Sequence, residues 1–416
     1  MNRLRYSILC LVLIGLNTGL SFGELPDTPA MQKMTAARKV IEQNPERYDA
    51  YNELALAQAR RARETSDPKY YEDAQHSLDI SLRLAPDNLE AQRIRVWILL
   101  GKHDFASALE HAKALNRKVP DDVMTYAFLT DANVELGNYK DAERAAQWML
   151  DLRPGNVPAL TRAAFLRELF GDIEGAIDFM QDAFQRTPYA ESEDRAWTLT
   201  QLAHLHLAVG RLENSEKLLQ AALALYPDYH YALANLGKLR MAQGRIDDAV
   251  QAFRDLHRVA PHPENLYLLA KALDHAGQIE EAKKAFAEFE QKALAESTTT
   301  DNSNRELIYY FADVARKPAE AMRIARMEIA RRQDSPTLEA YAWALQVNGM
   351  TAEAHREMES ALAVGIRDAV SFYHAAVISM QSGDKKAAQN YFQQSLATNA
   401  HSEVADAARS ELGLVN

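Results

Sequence analysis

Prolines fall at positions 86, 120, 154, 188, 227 and 261, so their spacings are 34, 34, 34, 39 and 34. Glycines at 137, 171, 210, 244 and 277 keep step with them, and Gly349 and Gly383 are again 34 apart. A fixed period constrains a chain more than composition does, because each period must be one structural unit that buries its apolar face against its neighbours. Within a period the pattern is helical. In Val123–Asn156, Tyr126, Leu129 and Thr130 share one face, Gly137-Asn138-Tyr139 makes a turn, and Ala142, Ala146 and Met149 share the face of a second helix that Pro154 closes. Alanine lets the two helices approach, glycine relieves the tight turn, and proline cannot continue the helix. Composition agrees: the 416 residues hold only 16 glycines and 14 prolines, few for a chain that must turn at every strand end. An all-α array of helix–turn–helix units is predicted.

These residues resemble the tetratricopeptide repeat, whose consensus has Leu and Gly at positions 7 and 8, Ala at 20 and 27, and Pro at 32. The match is carried by Leu236-Gly237, Gly244, Ala249, Phe253 and Pro261, by Gly171, Ala176, Met180, Ala183 and Pro188, and by Leu269-Ala270, Gly277, Ala282 and Phe286. The consensus tryptophan at position 4 is replaced by Tyr126, Leu160, Leu199 and Leu233, which still supply a large apolar group. The segments 51–74, 149–155 and 373–392 are further similar to an exported bacterial repeat family of unassigned activity. The resemblance implies a right-handed solenoid, protein–protein interaction and no single chemistry.

Ten units are expected between Tyr48 and Ser402: seven over 48–295, a polar linker over 296–304, and three degenerate units over 305–402. Residues 24–47 supply a lead helix that covers one end, and 403–416 a capping helix for the other. Three stretches break the period. Arg63–Lys69 enlarges the first turn, Glu191–Arg195 adds residues after Pro188, and Glu296–Asn304 is polar without apolar periodicity. Tolerated surface insertion is the plainer expectation for all three, a functional loop the alternative. Ahead of the array, Arg3 and Arg5 precede an apolar run from Ser7 to Leu20 and the small residues of Ser21-Phe22-Gly23, so residues 1–23 read as a signal peptide cleaved before Glu24. A run of that length is short for a membrane span.

Cys10, the single cysteine, falls inside the apolar run, so the cleaved chain has no thiol for a disulfide, a metal or a nucleophile. An exported chain without disulfides fits a bacterial periplasm. The formal charge is −11, and loss of Arg3 and Arg5 makes it −13 (45 basic against 58 acidic residues), which opposes nucleic-acid binding through phosphate neutralisation. A G-x-S-x-G pattern, Gly19 to Gly23, lies in the leader, without the strand and helix a nucleophile elbow needs. His204 and His206 are two residues apart and point to different faces of a helix. His257 and His262 straddle a helix end with no acidic partner fixed by spacing. Glu280-Glu281 and Asp247-Asp248 open second helices, where the macrodipole favours negative charge. No metal, cofactor or catalytic residue is expected.

Three positions of each first helix should face the concave side of the superhelix. The ninth runs Leu56, Trp97, Asp131, Phe165, His204, Lys238 and Lys271, and the second and fifth add Trp197, Tyr231 and Tyr267. Aromatic side chains on a concave surface suit peptide recognition, since they bury large area at little entropic cost. The alternative is that some merely fill space between units. Asn235, Lys238 and Lys271 form part of a set by which some members of the family grip a carboxylate, though the neighbouring units do not complete it. The expected groove is therefore Trp97, Phe165, Trp197, Tyr231, Asn235, Lys238, Tyr267 and Lys271, in an exported scaffold that binds a protein or extended peptide and catalyses nothing. The lysines would attract an acidic or carboxylate-bearing segment. Two other readings remain: an envelope assembly or secretion factor docking to a membrane protein, and an enzyme with a site between units.

Overall fold

The computed structural model describes residues 28–413. The expected leader, 1–23, and the cleavage position before Glu24 lie outside the described residues. Among the described residues all regular structure is helical. A lead helix α1 (Pro29–Gln43) is followed by helix–turn–helix pairs: α2 (Tyr48–Thr65) with α3 (Lys69–Leu84), α4 (Leu89–Gly101) with α5 (Phe105–Lys118), α6 (Val123–Glu135) with α7 (Tyr139–Leu152), and α8 (Val157–Leu169) with α9 (Ile173–Arg186). The series continues with α10 (Ser192–Ala208) and α11 (Leu212–Leu225), α12 (His230–Ala242) and α13 (Ile246–Val259), and α14 (Pro263–His275) and α15 (Ile279–Glu296). After 297–303, α16 (Asn304–Tyr309) is prolonged by a π-helical turn (Tyr310–Val314) and pairs with α17 (Pro318–Ile329). Two more pairs, α18 (Ser335–Val347) with α19 (Thr351–Leu362) and α20 (Ala369–Gln381) with α21 (Lys385–Thr398), lead to a short α22 (Ala405–Glu411). This is the all-helical array of paired repeats that the period predicts.

Local chemistry explains where the helices begin and how closely they pack. The side chains of Asn88, Asp122, Asn156, Asp334 and Asp368 each accept a hydrogen bond from the backbone N–H three residues on, capping the first helix of a unit. Asp104, Asp172 and Asp384 do the same for second helices. Ala142, Ala176, Ala249 and Ala282 are buried, as the close crossing of paired helices requires. Gly237 shows how close: a Cβ there would lie 2.3 Å from the Phe253 ring.

The solenoid winds tightly enough for successive turns to touch. The Ser335 N–H donates to Tyr139 Oη at 2.5 Å, 196 residues away in sequence. Arg332 Nη1 donates to Glu135 Oε2 at 3.1 Å across 197 residues, Asn399 Nδ2 to Leu207 O at 2.9 Å across 192, and His262 Nε2 meets Ser66 O across 196. The near-constant offset is close to six periods, so one superhelical turn takes about six units. Backbones abut along this seam. A Cβ on Gly137 would sit 2.4 Å from Gln333 O, and one on Gly171 2.4 Å from Gly365 O.

The three breaks in the period also make contacts between distant units. The enlarged first turn brings the end of α2 against the starts of α10, α12 and α14. Arg63 pairs with Glu193 and Asp194, Arg60 reaches Glu191 at 3.2 Å and Asp194 at 3.1 Å, and His230 Nε2 lies 2.9 Å from Arg63 O. The acids belong to the second insertion. From the third, Asp301 pairs with His103 at 2.9 Å, and Thr299 O and Thr300 O accept from Arg331. The first two breaks are thus fitted to each other, and the third is fitted to the α4–α5 turn and to the end of α17.

Candidate functional site

Because the turns close on one another, the concave face lines a narrow bore rather than an open groove. Its walls are the first helices of the units, and long charged side chains reach across it, as Arg63 does to Glu193 and Lys271 to Glu403.

The residues expected along the groove separate into three places. Phe165 (46% exposed) and half-buried Trp197 line a cleft of ≈ 240 Å³ between α6, α8 and α10. The charges around that cleft are already satisfied: Arg162 pairs with Asp131, and His204 Nε2 meets Glu168 Oε1 at 2.8 Å. Lys238 and Lys271 line a larger cavity of ≈ 650 Å³ between α12, α14 and the last turn of the solenoid. Trp97 and Tyr267 belong to packing. Trp97 lies against the core formed by Val96, Ala108 and Phe128, and Tyr267 is only 7% exposed, with ring centroids 5.0 Å from Phe289 and 6.1 Å from Phe286. Tyr231 leans on His230 at 4.0 Å and stays 38% exposed to the bore, while Asn235 Nδ2 donates to Tyr231 O at 2.9 Å.

The electrostatics follow from enclosure. Lys238 is exposed on the cavity wall, yet the protein crowded around it removes enough water to lower its amine pKa. Lys271 Nζ donates to Glu403 Oε2 at 2.5 Å. Burial works to raise Glu403, but Lys271, helped by Lys238 and His374, holds the carboxyl below the usual range. Asp313, Asp368 and Glu264 are all raised, chiefly by burial. The bore around the lysines is therefore mixed in charge, with acids facing them on several sides.

A second cluster escaped the sequence reading. His374 Nδ1 lies 2.6 Å from Glu339 Oε1, and the imidazole stacks on Trp343 at 4.0 Å and on Tyr309 at 5.9 Å. The Trp343 indole in turn donates to Asp313 Oδ1 at 2.9 Å. With His374 6% and Glu339 8% exposed, this acid–imidazole pair is sealed by aromatic rings and closed to a substrate. A signal for it existed. Trp343 stands six residues before Gly349, as Lys271 stands before Gly277 and Phe165 before Gly171, so the same register carried into the degenerate units reaches it. Glu403 lies beyond the last repeat and has no periodic signal. Among the described residues no three His, Cys, Asp or Glu side chains are grouped to hold a metal ion, and no helix is long and apolar enough to cross a membrane.

Family models described as tetratricopeptide repeat match residues 69–123 and 200–263, 240–296, and 369–401. No curated protein matches the sequence. Among solved structures, the human IFIT1 dimer with m7Gppp-AAAA is similar at TM-score 0.53 and 14% identity, over 88% of this chain and 85% of that one. The human IFIT1 dimer with PPP-AAAA is similar at TM-score 0.51 and 13% identity, over 88% and 94%. PilW, a widely conserved type IV pilus biogenesis factor, gives TM-score 0.39 at 15% identity, over 49% and 92%. The IFIT1 likeness shows a common fold, and the PilW likeness carries no argument.

Proposed function

We propose that this array, which matches tetratricopeptide-repeat models over 69–123, 200–296 and 369–401, is an exported scaffold holding an extended segment of another protein along its bore, between the Phe165–Trp197 cleft and the Lys238–Lys271 cavity. The observation that carries this reading is the first cleft. Phe165 is a large apolar side chain left 46% exposed on a concave wall whose charges are already paired, so an incoming apolar group buries area there without breaking an ion pair. Export rests on the sequence of residues 1–23 alone.

The IFIT1 structures hold PPP-AAAA or m7Gppp-AAAA, but a phosphate-bearing ligand does not suit this chain. Its formal charge is −11, and Asp313, Asp368 and Glu306 lie near Lys238 and Lys271, whereas phosphate binding draws on cations that release counter-ions. A polypeptide is the better occupant.

The test begins with capture of partners from a cell-envelope extract. Binding is then measured for Phe165→Ala and Trp197→Ala, with folding checked by circular dichroism. Truncation of an aromatic anchor typically costs about 2 kcal/mol or more, so each variant should weaken the complex on the order of 30-fold. Folded variants that bind as well as the parent would place the site elsewhere.

A further inference from the structure

Along most of the seam, one turn of the solenoid lies directly on the next. The turns part most where a ≈ 650 Å³ cavity separates α12 and α14 from the loop 399–404 that joins α21 to α22, against ≈ 260 Å³ between the α4–α5 turn and the end of α17. Lys238 and Lys271 stand on one wall, and Glu403 projects from the other. The two lysines differ in partnership. Lys271 holds the Glu403 carboxylate at 2.5 Å, whereas Lys238 makes no hydrogen bond and has no counter-ion within 4.0 Å among the described residues. The loop also rests on the facing turn where Asn399 and His401 lie over Gly210. Asn399 Nδ2 donates to Leu207 O at 2.9 Å, while α22 buries Ala405 and Ala408, packs on α21, and holds the loop's Ala400 O through Arg409.

We propose that loop 399–404 is an internal occupant of the bore, and that a partner segment bearing a single carboxylate enters at Lys238 and takes Lys271 over from Glu403. This rests on the reading that a segment binds along the bore, and it adds both the chemistry of that segment and a competitor within the chain. An ammonium that has no counter-ion gains one when a carboxylate arrives. The Lys271–Glu403 pair shows that the cavity wall accepts this geometry. One carboxylate suits the site better than a run of them, because Glu306 and Asp368 also face Lys238, and further acids would meet like charge. While the loop is seated, the apparent affinity is reduced by the fraction of molecules in which Lys271 is free.

The probe is a labelled, C-terminally amidated peptide with the sequence of residues 397–404, compared with the same peptide carrying Gln in place of Glu403. It is titrated into the full chain and into the double variant Asn399→Ala/Glu403→Gln, which loosens the loop without touching α22. Tightening of at least about fivefold on the double variant is expected, the scale of one partly exposed ion pair. Lys271→Glu should abolish binding, the Gln peptide should bind several-fold more weakly, and hydrogen exchange over 399–404 should speed up in the double variant. Equal affinity for parent and double variant, equal binding of the two peptides, or no binding to the double variant would each overturn the displacement. Any of those outcomes with partner capture still dependent on Phe165 and Trp197 leaves the scaffold reading standing. Peptide displacement with capture indifferent to those aromatics would instead remove the scaffold site and keep this one.

Discussion

Gly137 and Gly277 occupy the same place in their repeats and look alike in sequence, yet they are held by different forces. Both have positive φ, +78° and +71°, where an L-residue pays on the order of 1–2 kcal/mol. Around Gly277 nothing lies within 4 Å of an added Cβ, whereas at Gly137 the Cβ would stand 2.4 Å from Gln333 O. That oxygen belongs to backbone on the next superhelical turn and cannot swing away as a side chain can. Gly277→Ala should therefore lose about 1 kcal/mol in chemical denaturation, and Gly137→Ala at least about 1 kcal/mol more. Equal losses would mean that the two turns are not in contact in solution.

At the scale of the helix pair, what holds the unit together was legible in the sequence, because each contact recurs within one period. Ala176 is buried without exposed surface at the position the period assigns to helix crossing. Ala176→Leu should overpack α8 against α9 and cost roughly 1–3 kcal/mol, and unchanged thermal unfolding would contradict that crossing. What was not legible lies between units far apart. Arg63 and Glu193 carry no mark of pairing, since 130 residues separate them and each sits in a break where the repeat grammar lapses. The insertions were visible as breaks, but their fit to one another depends on the pitch of the superhelix, which no local window encodes. The candidate site divides the same way. Phe165 and Lys238 follow from their repeat position, but Glu403 reaches Lys271 from 132 residues away. The packed aromatics Trp97 and Tyr267 share repeat positions with exposed ones, so periodicity alone could not separate anchor from filler.

The whole molecule behaves as a wound spring whose neighbouring turns are latched, and the latch near the first turn contains a group that responds to pH. His230 Nε2 donates to Arg63 O at 2.9 Å. Burial lowers its pKa to about 4, against the opposing hydrogen bond to Arg63 O and with smaller help from the charges of His262 and Arg63. A histidine whose folded pKa lies below its unfolded value of about 6.5 carries fewer protons in the folded than in the unfolded chain between those two values. Its contribution to stability is thus fully present above pH 6.5 and is lost as pH falls toward 4, to a limit of roughly 3 kcal/mol for that shift. Other groups at the latch titrate too, since burial raises Glu193, so the parent's total pH dependence does not isolate the histidine. His230→Gln does: its amide can still donate to Arg63 O and cannot acquire a proton in this range. Stability measured by denaturant at pH 7 and at pH 4.5 should fall more in the parent than in His230→Gln, and small-angle scattering should show the parent's radius of gyration rising at the milder acidity. Parallel losses in the two proteins would mean that His230 is not buried at the latch and that the first turn of the solenoid is not closed onto the second.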